Sequence, residues 1–202
     1  MTKAFVLGII AVGGLLCLAA PAQEKAAAKK KSGAPAEAAM AMPKPAPEMK
    51  ELRALLGVWT TDEQFEATPV SPAGTGSGTN TVRLGPGGFS VLMDQRSKGT
   101  MGAFNGHGVY SWVPDQKMYK AAWVDSMTPG LQAETGHKEG ENLVFTGETM
   151  MAGKKVSIRD VWSDFTPTSH TLTSYMNDGS GEKKVMTIKL TKLEAPPAPA
   201  KK

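Results

Sequence analysis

The stretch ELRALLGVWTTDEQF, residues 51–65, changes its hydrophobic period in the middle. Up to Leu56, apolar residues recur three and four apart, at Met49, Leu52, Leu55 and Leu56, which marks one face of a helix. After Gly57 the pattern alternates every second residue, as a strand with one buried face requires. A short helix over 49–56 with an apolar stripe is suited to plug one end of a β-barrel. Gly57 lets the chain turn sharply, and Trp59 covers the floor where the first and last strands meet.

Downstream, ten alternating runs end in turn residues: 58–67, 77–84, 88–97, 106–113, 117–126, 131–138, 142–150, 154–164, 169–177 and 183–193. The breaks hold Gly85-Pro86-Gly87-Gly88, Pro114-Asp115, Thr128-Pro129-Gly130, Glu139-Gly140, Ala152-Gly153 and Asn177-Asp178-Gly179. Loops this short join antiparallel neighbours, and no helical pattern is long enough for a parallel crossover. A meander of ten strands has two edges to protect, and closure removes both. The expected fold is mainly β: an antiparallel up-and-down β-barrel of about ten strands with a short N-terminal helix.

The ends of the chain differ in composition from the middle. Residues 1–22 set Lys3 before an apolar run, Ala4 to Ala20, and a small-x-small site, Ala20-Pro21-Ala22, so a secretory signal peptide cleaved after Ala22 is expected. The run is shorter than the roughly 20 residues of a spanning helix, so no integral membrane segment is expected after cleavage. Cys17 is the only cysteine and lies in that segment, which leaves the mature chain without disulfides, thiolate metal sites or a cysteine nucleophile. Residues 23–47 form an Ala/Lys/Pro-rich linker and 194–202 a tail of the same style. The barrel domain is expected over 48–193, in the periplasm or secreted.

The sequence pI near 9.1 does not belong to that domain. Residues 48–193 hold 15 lysines and arginines against 16 aspartates and glutamates, a net charge of −1, so the basic excess sits in the ends. A nucleic-acid partner is therefore not expected.

Gly-x-Trp after a short helix resembles the start of the calycin barrels, the lipocalins and fatty-acid-binding proteins. In that group a basic side chain of the last strand packs on the tryptophan, a role the resemblance offers to Lys189 or Lys192. A broader resemblance runs through PEMKELRALLGVWTT, LGPGGFSVLMD, FNGHGVYSWVPDQKMYKAAWVDSM, LVFTGE, GKKVSIRDVW and KVMTIKLTK. In order and spacing these segments resemble the bacterial domain-of-unknown-function family 1579 over residues 47–192. Trp123 to Met127 and Gly153 to Arg159 are their more specific parts, and GTGSGTNTV departs from the family pattern. The resemblance implies a barrel-like single domain and no established activity.

Candidate site residues are set by the strand faces. Trp123 and Asp125 share a face with Tyr119, and an interior aspartate must find partners. A ligand pocket would have Trp59, Tyr119, Trp123, Phe145 and Trp162 as walls and Asp125 with Arg159 as polar contacts. On 154–164, however, Asp160 shares the face of Val156, Ile158 and Trp162, which points Arg159 outward unless a bulge shifts the register. The domain's methionines suit a cavity that adapts to its guest as well as an irregular core.

The expected function is non-catalytic binding of a small, largely apolar molecule in the barrel, with no protein partner indicated. A hydrolase or isomerase using Asp125 and Glu63, or His107, is the alternative, as is an envelope protein-interaction module. His107, His137 and His170 lie far apart in the sequence, so no metal site is expected, and haem through His170 is a weak alternative cofactor. No Gly-x-Ser-x-Gly elbow or helix-backed glycine loop occurs for acyl transfer or phosphate binding.

Overall fold

The computed structural model describes residues 42–68, 71–151 and 153–193. The expected signal segment with Cys17, the linker up to residue 41 and the tail from 194 lie outside the described residues. Helix α1, Met49–Arg53, leads into ten strands: β1 Gly57–Phe65, β2 Gly74–Leu84, β3 Ser90–Gly99, β4 Gly102–Val113, β5 Met118–Asp125, β6 Gln132–Glu139, β7 Asn142–Met151, β8 Lys154–Ser163, β9 Ser169–Asn177 and β10 Glu182–Lys192. Each strand pairs antiparallel with its sequence neighbours, and β1 pairs with β10, which closes an up-and-down barrel. No helix among the described residues is long and apolar enough to cross a membrane.

Two kinds of boundary differ from the sequence expectation. The helix ends at Arg53 rather than Leu56, because Ala54, Leu55 and Leu56 donate to carbonyls three residues back and tighten the turn into Gly57. Gly57 then takes φ +142°, a conformation that side-chain-bearing residues rarely adopt. Strands β2 and β4 begin three and four residues earlier than their hydrophobic alternation suggests. Their first residues, Gly74 to Gly76 and Gly102 to Asn105, are held by ladder pairing to Phe65 and Gly99 on the neighbouring strands.

At the end where β1 begins and β10 finishes, the helix forms a solid floor. Met49, Leu52, Leu55 and Trp59 are at most 2% exposed there, packed with Val82, Val91, Leu143 and Leu190. The Trp59 indole donates from Nε1 to the Leu55 carbonyl at 2.9 Å, tying strand to plug. Lys192 places Nζ 5.2 Å from the centre of the Trp59 rings, the packing expected of one of two lysines; Lys189 points outward. Tyr119 donates its hydroxyl to the Glu48 carbonyl at 3.0 Å, and Lys138 bonds Glu51 at 2.9 Å, so β5 and β6 also hold the helix. At the other end the described residues include only hairpin connections.

Candidate functional site

The inner face of the barrel changes character along its axis. Near the helix it is apolar, whereas beyond Trp59 the next inner residues of β1 are Thr61 and Glu63, both 3% exposed. Above the floor lies a cavity of about 370 Å³ to which all ten strands contribute. Tyr110, Trp123, Trp162, Phe65 and Phe104 supply aromatic surface, and six methionines, Met93, Met101, Met127, Met151, Met176 and Met186, line it from depth to mouth. Flexible thioethers make such a wall adaptable in shape.

Trp123 is placed by the absence of side chains on the strand beside it. Gly106 and Gly108 sit opposite Asp125 and Trp123 on β4, and a Cβ at Gly106 would lie 2.2 Å from the Trp123 ring. The indole occupies that groove and stacks on Phe104, with ring centres 6.5 Å apart and planes inclined by 17°. Its Nε1 donates to Asp125 Oδ2 at 3.1 Å. Asp125 Oδ1 accepts the backbone N–H groups of Met127 and Thr128, each at 2.7 Å, and Gln132 Nε2 donates to Oδ2 at 3.3 Å. The carboxylate thus orients the indole and pins the turn after β5.

A second polar chain crosses the first three strands. Asn80 Nδ2 donates to Gln95 Oε1 at 2.8 Å, Gln95 Nε2 donates to Glu63 Oε1 at 2.8 Å, and Thr61 donates to the same oxygen at 2.9 Å. Every donor in this chain points toward Glu63. Asn80 Oδ1, on a residue 3% exposed, is left with no hydrogen-bond partner.

On the opposite wall Glu134 of β6 and Asp160 of β8 both line the cavity, with β7 between their strands. Gly147 pairs with Glu134 on one side and Ile158 on the other, and a Cβ there would come within 2.8 Å of Glu134 Cγ. Burial pushes the Glu134 carboxyl up to about 8, with the neighbouring charge of Asp160 adding to the rise. Burial also raises Asp160, to about 6, against the opposing effect of its hydrogen bond with Ser174. With its carboxyl raised to about 8, Glu134 keeps its proton at neutral pH. Tyr110 is raised as well, by burial first and then by these two carboxyls.

Of the residues predicted for the pocket, Trp123, Asp125 and Trp162 line the cavity. Trp59, Tyr119 and Phe145 belong instead to the packed floor, with Phe145 fully buried against Tyr110 and Tyr119. Arg159 does not reach Asp125. The ladders on both sides of β8 run without a bulge, so with Asp160 inside, Arg159 points outward. There it grips Glu182 through Nε at 2.8 Å and Nη2 at 2.6 Å and lies 4.2 Å above the Tyr175 ring.

The carboxylate pair considered for acid–base work, Asp125 and Glu63, does line the cavity, but each is held in its own hydrogen-bond network. His107 is bonded to Asp94 at 2.8 Å and His137 to Glu139 at 2.7 Å, and neither lines the cavity. His170 is 2% exposed in the floor, with the rings of Trp59, Trp162 and Phe165 centred 4.3, 5.6 and 5.7 Å from its own. Burial and nearby Lys192 lower it to about 4, so it is neutral. With its ring enclosed by three aromatic side chains, it does not fit a haem ligand. Among the described residues no three histidine, cysteine or acidic side chains converge as a metal site would require.

Sequence reasoning did not select Tyr110, Asn80, Gln95 or Glu134. The signal available for Glu134 was its shared parity with Gln132 and Gly136, but QAETGHKE is polar on both faces and gives no preference.

No curated protein matches the chain. Among solved structures it is similar to the S-type phycobiliprotein lyase CPES from Guillardia theta, at 12% identity and a TM-score of 0.48, over 75% of this chain and 100% of that one. The family model described as protein of unknown function (DUF1579) matches residues 44–192, which contain α1, all ten strands and every residue lining the cavity. The chain therefore belongs to the DUF1579 family.

Proposed function

We propose that the protein is an exported barrel that binds a small, largely apolar molecule in its interior and performs no chemistry on it. The observation carrying this reading is the cavity of about 370 Å³ above a sealed floor, walled by aromatic rings and methionines. Ligand sites of this kind are concave, mostly apolar and fixed by a few polar groups. Binding rather than turnover is supported by the engagement of Asp125 and Glu63 in hydrogen bonds and by the position of His107 away from the cavity.

Native mass spectrometry of the full chain isolated from its own cells tests the reading. A copurified small molecule is expected on the wild-type protein and absent from Ser97→Trp, in which an indole occupies the cavity. A molecule retained equally by both proteins would contradict binding there. Export rests on the pattern of residues 1–22 and predicts an isolated chain beginning at Gln23. Finding the apolar run still attached on a cytosolic protein would refute it.

A further inference from the structure

The polar groups inside the barrel are unevenly matched. Glu63, Glu66, Asp125, Glu134 and Asp160 line the cavity, while none of its described lining residues is a lysine, arginine or histidine. Two acceptors there lack partners: Asn80 Oδ1, on a residue 97% buried, and Asp160 Oδ1. Glu134, 7% exposed, forms a pair with Asp160 rather than with a cation. A buried acceptor without a donor is costly, and a carboxylate without a cation more so. The cavity thus lacks what a cationic hydrogen-bond donor would supply.

Resting on the pocket reading above, we infer that the ligand is a small apolar molecule carrying a protonated amine, which is held between Glu134 and Asp160 while its apolar body lies against Trp123, Trp162 and the methionines. Gly147, on the strand between them, leaves the room that the Glu134 side chain occupies, since a Cβ there would come 2.8 Å from its Cγ. Because Glu134 keeps its proton near neutral pH, docking a cation beside it expels that proton. The other titratable groups facing the cavity are Tyr110 on β4, Glu63 on β1, Glu66 just beyond it and Asp125 on β5. Tyr110 is raised and so stays protonated, Glu63 and Asp125 already have hydrogen-bond donors, and Glu66 is paired with Lys184 at 3.3 Å.

Three compounds of one skeleton separate the charge from the pocket: 1-naphthylmethylamine, 1-naphthylmethanol and 1-naphthoic acid, titrated calorimetrically into the full chain. The amine is expected to bind at least about tenfold more tightly than the alcohol, the range for hydrogen bonds to charged groups, with the acid weakest. Repeating the titration in buffers of different ionisation enthalpy should show proton release on binding the amine and none with the alcohol. Glu134→Gln and Asp160→Asn should each reduce the amine's advantage without weakening the alcohol. Equal binding of amine and alcohol, or binding without proton release, would overturn the inference and leave the apolar pocket standing. Failure of all three compounds to bind would remove both.

Discussion

Asp125 illustrates how one side chain sets the geometry of this site without being its chemistry. It accepts four hydrogen bonds, from the Trp123 indole, two backbone amides and Gln132, and so fixes both the ring that walls the cavity and the turn beside its mouth. Asp125→Ala is expected to cost about 2–4 kcal/mol in chemical denaturation, with the Trp123 emission altered in the native state. Glu134 has the opposite character, a buried carboxyl whose charged neighbour is another acid, Asp160. Its folded value near 8 exceeds the ordinary 4.5, so the folded state keeps a proton that the unfolded chain releases between those limits. Stability from this group is complete below about 4.5 and is lost as pH rises toward 8. Asp160 acts in the same direction between 3.8 and about 6. His170, lowered from 6.5 to about 4, acts in the opposite sense and costs stability only as pH falls through that interval. Between pH 6.5 and 8 Glu134 supplies a downward slope of up to about 1.4 kcal/mol per pH step of one. Thermal melts should therefore fall more steeply across this range in the wild type than in Glu134→Gln.

Among the elements, the five-residue helix has the largest effect for its size. Leu52 is fully buried in the barrel floor, and Leu52→Ala should destabilise by about 2–5 kcal/mol, measured in urea. The helix, the ten strands and the closure were all legible in the sequence, because the period changes at Gly57 and turn residues punctuate the chain beyond it. The early parts of β2 and β4 were not, since GTG at 74–76 and GAFN at 102–105 are too short to show an apolar alternation and owe their conformation to the neighbouring ladder. Interior direction was legible where apolar residues mark it, as at Trp123 and Trp162. It was open on β8, where Arg159 and Asp160 are adjacent and one residue of register decides which is inside. It was not legible on β6, whose two faces are equally polar. The floor and the cavity draw on the same aromatic residue types, so Trp59, Tyr119 and Phe145 could not be distinguished from the walls by composition.

For the molecule as a whole, the division between a packed end and a hollow end organises everything else. The floor gathers Trp59, the helix and His170, while six methionines and the acidic side chains line the open half, where burial raises Glu134 and Asp160. Net charge hides this arrangement: residues 48–193 are nearly neutral, yet the described cavity wall is acidic. The central claim is that the hollow half admits a guest. Titration of the full chain with N-phenyl-1-naphthylamine, a neutral dye that brightens in apolar surroundings, tests it most directly when run beside Ser97→Trp. The account predicts a saturating blue-shifted emission at one dye per wild-type barrel and none in the filled variant. No saturable emission from the wild type, or the same emission from both proteins, would contradict it.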